Sequence, residues 1–180
     1  MTKKIVLAGG LFWTTEAIFR RFTGIVRTSC GYAGGTSDDP SFEAVSKGQT
    51  GHAECVMIEY NPAQTNLGVI LDAYFLSIDP TTLDRQGADI GTQYRSGIFY
   101  IDPMDLPTIV KKVNEVQLQF KDPIVTEIKH IEETQYYRAD EHHQDYYSKN
   151  KDKVYSQAII KPKIEKIEKV FGIRQSNMLS

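Results

Sequence analysis

Cysteine is nearly absent from this chain: its 180 residues hold two, Cys30 and Cys55, and neither sits in a CxxC pair. Two thiols cannot build a disulfide framework, so each reads by default as a reduced, buried, small hydrophobe. An excess of charge of one sign is also lacking. With 21 basic and 23 acidic residues the net charge is -2, which argues for neither nucleic acid nor an acidic membrane as partner. No apolar run approaches the ~18 residues of a membrane span. Ile5–Ala8 is too short for a signal-peptide core and is cut at once by Gly9-Gly10. The expectation is a cytoplasmic protein with no membrane partner, and nothing demands more than a monomer.

What is present fits one domain over residues 1–180, with a core at about 4–150 and a C-terminal extension at 151–180. The 41% hydrophobic fraction suffices for a single core. Period and punctuation predict strands at Lys4–Ala8, Ile25–Tyr32, Ala53–Tyr60, Ser96–Ile101 and Ile124–Ile131. They predict helices at Trp13–Phe22, Asn66–Ser77 and Leu106–Gln119, a short one from Asp140 to Asn150, and a lysine-rich peripheral one at Lys161–Val170. Ala33–Thr50 reads as loop with one helical turn at Phe42–Val45, and Pro80–Tyr94 as a long polar segment. Strands alternate with helices and some sheet neighbours are antiparallel, which gives a two-layer α/β sandwich. Long loops in a compact domain are commonly functional, and here they hold most of the unusual residues.

Gly9-Gly10-Leu11-Phe12-Trp13 turns a strand into a helix, so backbone N–H groups point at whatever sits on the turn. A thiol there would have a lowered pKa. Leu11 cannot use that field and, taken alone, reads as a core or pocket-wall residue. Phe12-Trp13 is either core packing or an apolar cage open to the turn. Glu54 opens a strand after Gly51-His52-Ala53. It is either a half-buried carboxyl suited to donating a proton near neutral pH, or a solvated strand-edge glutamate. His52 is a base, a ligand or, more simply, a hydrogen-bonded loop histidine. Asp89 and Tyr94 either reach into a cleft or cap a turn and cover the core. His142-His143 makes no chelate, because neighbours on a helix diverge by about 100°. No metal is expected. Lys161–Lys169 reads as a solvated face.

Six segments occur in one order: Gly9–Trp13, Gly31–Gly35, Gly51–Glu54, Asp79–Thr81, Gln86–Asp89 and Gln93–Ser96. Together they resemble methionine sulfoxide reductase A over residues 5–150. The resemblance implies an α/β (α+β) fold, a two-layer ferredoxin-like sandwich with long loops around the active site. It implies thiol-dependent reduction of methionine-S-sulfoxide, free or in proteins, in protein repair under oxidative stress. It implies no bound cofactor and an external thiol, such as thioredoxin, that recycles the enzyme. Carried over, Leu11 takes the place of the nucleophilic cysteine and Glu54 that of the proton donor. Asp89 and Tyr94 match polar residues that orient the sulfoxide or a water, while Phe12 and Trp13 match the methyl-binding pair. Phe42 stands where many members have a tyrosine that hydrogen-bonds the oxygen, and residues 172–180 contain no resolving cysteine.

Three functions follow from this sequence. The first is a reductase of this family left inactive by Leu11. The second is a binding module for oxidised methionine. The third is an unrelated enzyme using Glu54, Asp89 and His52 as acid–base groups. Neither Cys55, on the opposite side of its strand from Glu54, nor Cys30 is an evident substitute nucleophile or resolving thiol.

Overall fold

The computed structural model describes residues 1–173. Residues 174–180 of the expected extension lie outside them. β1 (Lys3–Ala8), β2 (Ile25–Ala33), β3 (Ala53–Tyr60) and β6 (Gly97–Tyr100) form the central strands. α1 (Phe12–Phe19) links β1 to β2, and α3 (Leu67–Ser77) lies between β3 and β6. The hydrogen-bonded order is β6-β1-β3-β2 with every pair antiparallel. That is the split βαβ arrangement of a ferredoxin-like sandwich. β7 (Glu127–His130) adds to β6 in parallel, and β8 (Tyr137–Arg138) pairs with β2, completing a six-stranded sheet.

One sheet face carries Ile5, Leu7, Cys30, Tyr32, Val56, Ile58 and Ile98, and all the major helices pack on it. The other carries Val6, Ala8, Cys55 and Phe99, covered by Ile131 and Tyr136. Strand alternation produces this division directly. α3 is pinned to the sheet by Tyr74, whose Oη donates to the Ala8 carbonyl at 2.7 Å and accepts from the Gly97 N–H at 3.0 Å. This fixes the end of β1, where the chain turns into α1.

Several expectations need correction. α1 ends at Phe19, and residues 20–22 form a turn instead of helix. The polar segment before β6 contains a two-residue hairpin of β4 (Arg85–Gln86) and β5 (Asp89–Ile90). β8, too short for a periodic pattern, was not expected. The stretch after Asp140 breaks into a 3-10 turn and α5 (Tyr146–Lys149), because Asp145 lies at φ 52. α6 (Lys161–Phe171) is not peripheral: Ile164 and Ile167 join the main core, as does Ile160 just before it. Lys161, Lys166 and Lys169 are exposed, whereas Lys163 is half-buried. α4 (Leu106–Gln117) and the short α2 (Phe42–Ser46) match expectation closely.

Candidate active site

The turn from β1 to α1 builds the site. Gly10 sits at φ +84, and a Cβ there would press on the Gln86 side chain at 3.1 Å. The Gly10 N–H donates to the Tyr94 carbonyl at 3.2 Å, which ties the turn to the loop before β6. Leu11 is the N-cap residue of α1, and its side chain caps nothing. It is half-buried and packs against the main core.

The next residue aims a backbone N–H into the protein. The Phe12 N–H donates to Glu54 Oε2 at 3.2 Å. Glu54 is 1% exposed, and its second oxygen, Oε1, has no hydrogen-bond partner. Burial pushes the Glu54 carboxyl up to about 8, against the pull of the Phe12 N–H and with a further push from Asp89. The group is therefore mostly protonated at neutral pH. The half-buried Asp89 carboxyl is also raised by burial, with Lys163 opposing the shift. Burial and the charges of Glu54 and Asp89 raise the Tyr94 phenol. Glu54, Asp89 and Tyr94 thus form one electrostatic cluster beside the turn.

The apolar side is aromatic. The Phe12 ring lies 5.8 Å from Tyr32, 5.2 Å from His143 and 6.5 Å from Phe42. Phe42 sits at the start of α2, where Ser41 Oγ caps the helix, and it is 36% exposed. It therefore forms a mouth to the cage. The Trp13 ring stacks on Tyr146 at 3.6 Å and 5°, with Tyr155 edge-on at 6.3 Å. Burial holds the Tyr155 phenol at about 12. Trp13 Nε1–H donates to His143 Nδ1 at 3.3 Å, which leaves the proton of neutral His143 on Nε2. His143 is 2% exposed, and Nε2 has no partner. Burial and the neighbouring His142 hold the His143 imidazole below its ordinary value.

Sequence reasoning missed Tyr32, His143, Tyr146 and Tyr155. Tyr32 lies inside the Gly31–Gly35 motif, whose spacing does not show where its hydroxyl ends, and His143 reads in sequence only as half of a non-chelating histidine pair. Also missed was Glu16, on the buried face of α1, which accepts from Thr28 Oγ1 at 3.1 Å, Cys30 Sγ at 3.3 Å and the Asp145 N–H at 2.8 Å. This anchor turns the chain at Asp145 and lays Tyr146 on Trp13. His52 stands apart from the cluster and braces its own loop. Its Nδ1 accepts from the Gly35 N–H at 3.0 Å, and its Nε2 contacts the Ser37 carbonyl at 2.7 Å.

The two thiols lie elsewhere. Cys30 is fully buried under α1, and burial together with Glu16 raises its pKa strongly. Cys55 faces the opposite side of the sheet, also raised by burial. Among the described residues no group of three or more His, Cys, Asp or Glu side chains is placed to hold a metal, and no helix is long and apolar enough to cross a membrane.

The split βαβ sandwich thus brings a neutral carboxyl and an aromatic cluster together at a helix start, an arrangement suited to acid–base chemistry. The sequence model of the family described as "Peptide methionine sulfoxide reductase" matches residues 3–175. The peptide methionine sulfoxide reductase MsrA of Clostridium botulinum (strain Okra / Type B1) is 47% identical over 148 residues, 82% of this chain and 93% of that protein. The crystal structure of Mxr1 from Saccharomyces cerevisiae in reduced form superposes with a TM-score of 0.79 at 39% identity, covering 84% of this chain and 87% of that one. Mxr1 in complex with Trx2 matches with a TM-score of 0.57 at 31% identity over 81% of this chain and 84% of that one. The chain belongs to the peptide methionine sulfoxide reductase family, a family of oxidoreductases.

Proposed function

We propose that this chain carries the binding and proton-donating apparatus of a peptide-methionine (S)-S-oxide reductase, and that Leu11 leaves it unable to turn over. One observation carries the reading. Leu11 sits at the N-cap of α1, one residue before the N–H that meets the protonated Glu54. A nucleophile belongs at such a helix start, and leucine has none.

The chemistry that the site lacks is simple to write. A thiolate at position 11 would attack the sulfoxide sulfur while Glu54 donated its proton to the oxygen. The S–O bond breaks, and oxygen and proton end on the thiol sulfur as a sulfenic acid. The substrate leaves as the thioether and Glu54 as the carboxylate. Substrate sulfur is reduced and cysteine sulfur oxidised. One external thiol then forms a disulfide with release of water, and a second thiol frees the cysteine. The Mxr1–Trx2 complex supports a thioredoxin-like protein as the source of those thiols in a restored enzyme. Phe12, Trp13 and Phe42 would receive the S-methyl group, and Asp89 and Tyr94 would orient the oxygen or a water. Cys30 and Cys55 support no replacement, being buried and far from the thiolate state.

The test is Leu11→Cys. The parent should show no thiol-dependent reduction of a methionine-S-sulfoxide peptide, and the variant should show it. Turnover by the parent, or a folded but inert variant, refutes the proposal. A second reading, that the parent binds oxidised methionine without reducing it, draws on the intact aromatic cage. Equal calorimetric affinity for sulfoxide and thioether peptides would refute it.

A further inference from the structure

The β2–β3 register places Tyr32 directly opposite Glu54. Paired residues project from the same face, with Cβ atoms about 4.5–5.5 Å apart. Both side chains are sealed from solvent, Tyr32 at 2% exposure and Glu54 at 1%. Each carries a polar atom without a partner: Tyr32 Oη and Glu54 Oε1. Both flank the same residue, Phe12, Tyr32 ring-to-ring at 5.8 Å and Glu54 through the backbone N–H at 3.2 Å. A buried unpaired hydroxyl or carboxyl costs about 1–3 kcal/mol. Two such groups at facing positions of one sheet face call for a partner that the described residues do not supply.

The chemistry of that partner follows from the two groups. Burial keeps the Tyr32 phenol protonated, its pKa raised far above the ordinary range, and burial keeps Glu54 protonated at neutral pH. Both are therefore donors. Two donors that face from paired strand positions and flank the same Phe12 suit an acceptor with two lone pairs and no proton of its own. A sulfoxide oxygen meets this description, and a thioether sulfur, a weak acceptor, does not.

We propose that Tyr32 is an oxygen-binding residue of this site, its hydroxyl donating to the S-oxide oxygen alongside Glu54, and that this pair distinguishes a sulfoxide from a thioether. The inference rests on the functional reading above and adds a buried donor to the oxygen-binding groups named there, in a pocket where Phe42 supplies none.

The experiment uses the Leu11 protein as it stands, with Trp13, its sole tryptophan, as the fluorescent reporter. The ligands are an N-acetyl-methionine-S-sulfoxide amide and the matching thioether. Tyr32→Phe should weaken sulfoxide binding about 5- to 10-fold, leave thioether binding unchanged, and leave the melting temperature level or higher, because an unpaired buried hydroxyl has been removed. Unchanged sulfoxide affinity overturns the proposal. So does a drop in melting temperature with equal losses for both ligands, which would mark the hydroxyl as structural. If the parent binds neither ligand, the functional reading fails by itself. High-resolution crystallography then decides Tyr32 separately. One ordered water or ligand oxygen within hydrogen-bond distance of both Tyr32 Oη and Glu54 Oε1 supports the shared site, and its absence overturns it.

Discussion

Replacing Glu54 by glutamine should stabilise this protein at neutral and alkaline pH and leave its stability unchanged in acid. In the unfolded chain the carboxyl titrates near its ordinary 4.5, and in the folded protein burial moves it to about 8. Below pH 4.5 both states are protonated and full stability is present. As pH rises, the unfolded chain ionises first, so stability is lost between pH 4.5 and 8 and then levels off. At about 1.4 kcal/mol per tenfold, the loss is about 3 kcal/mol at pH 7 and about 5 kcal/mol above pH 8. Glutamine does not titrate, and its side-chain oxygen still accepts from the Phe12 N–H. For a chain of this length about 3 kcal/mol corresponds to roughly 6–12 °C in Tm. Thermal or urea unfolding of parent and Glu54→Gln at intervals from pH 4 to 9 measures the difference. A difference that is flat across that range would refute the reasoning, because it would mean that Glu54 titrates alike in both states. The same substitution removes the proton that the proposed chemistry needs, so stability would rise where activity in a Leu11→Cys background falls.

Two further outcomes are expected. Gly35→Ala should cost roughly 3 kcal/mol in urea unfolding, since its Cβ would lie 2.3 Å from the His52 nitrogen and 2.5 Å from the Thr50 carbonyl, both backbone atoms that cannot step aside. Glu16→Ala should cost about 2–4 kcal/mol by leaving the Asp145 N–H without an acceptor. It should also shift Trp13 emission to the red as Tyr146 lifts from the indole; unchanged emission would detach Glu16 from the placement of Tyr146.

Much of this protein was legible in its residues taken in order. The Gly9-Gly10 turn, the alternation of strands and helices, and the opposite facing of Glu54 and Cys55 are local matters. They depend on φ/ψ preference and on periods of 2 and 3.6, which any short window reveals. The absence of a thiol at Leu11 is equally a property of the sequence. What only the tertiary structure decided are the relations between distant residues. Local pattern cannot tell a solvated strand-edge glutamate from a sealed one, so the rise of Glu54 to about 8 depends on the α1 start closing over it. Tyr32 meets Glu54 through strand register, and His143 meets Trp13 across 130 residues. Asp145, bent to φ 52 against Glu16, carries Tyr146 onto the cage. Lysine spacing at 161–169 suggested a solvated helix, yet Ile164 and Ile167 seat it in the core. The sequence alone thus determined that leucine, with no thiol, stands at the helix start, and packing alone determined the buried, proton-bearing carboxyl beside it, because burial is a property of the neighbours and not of the residue.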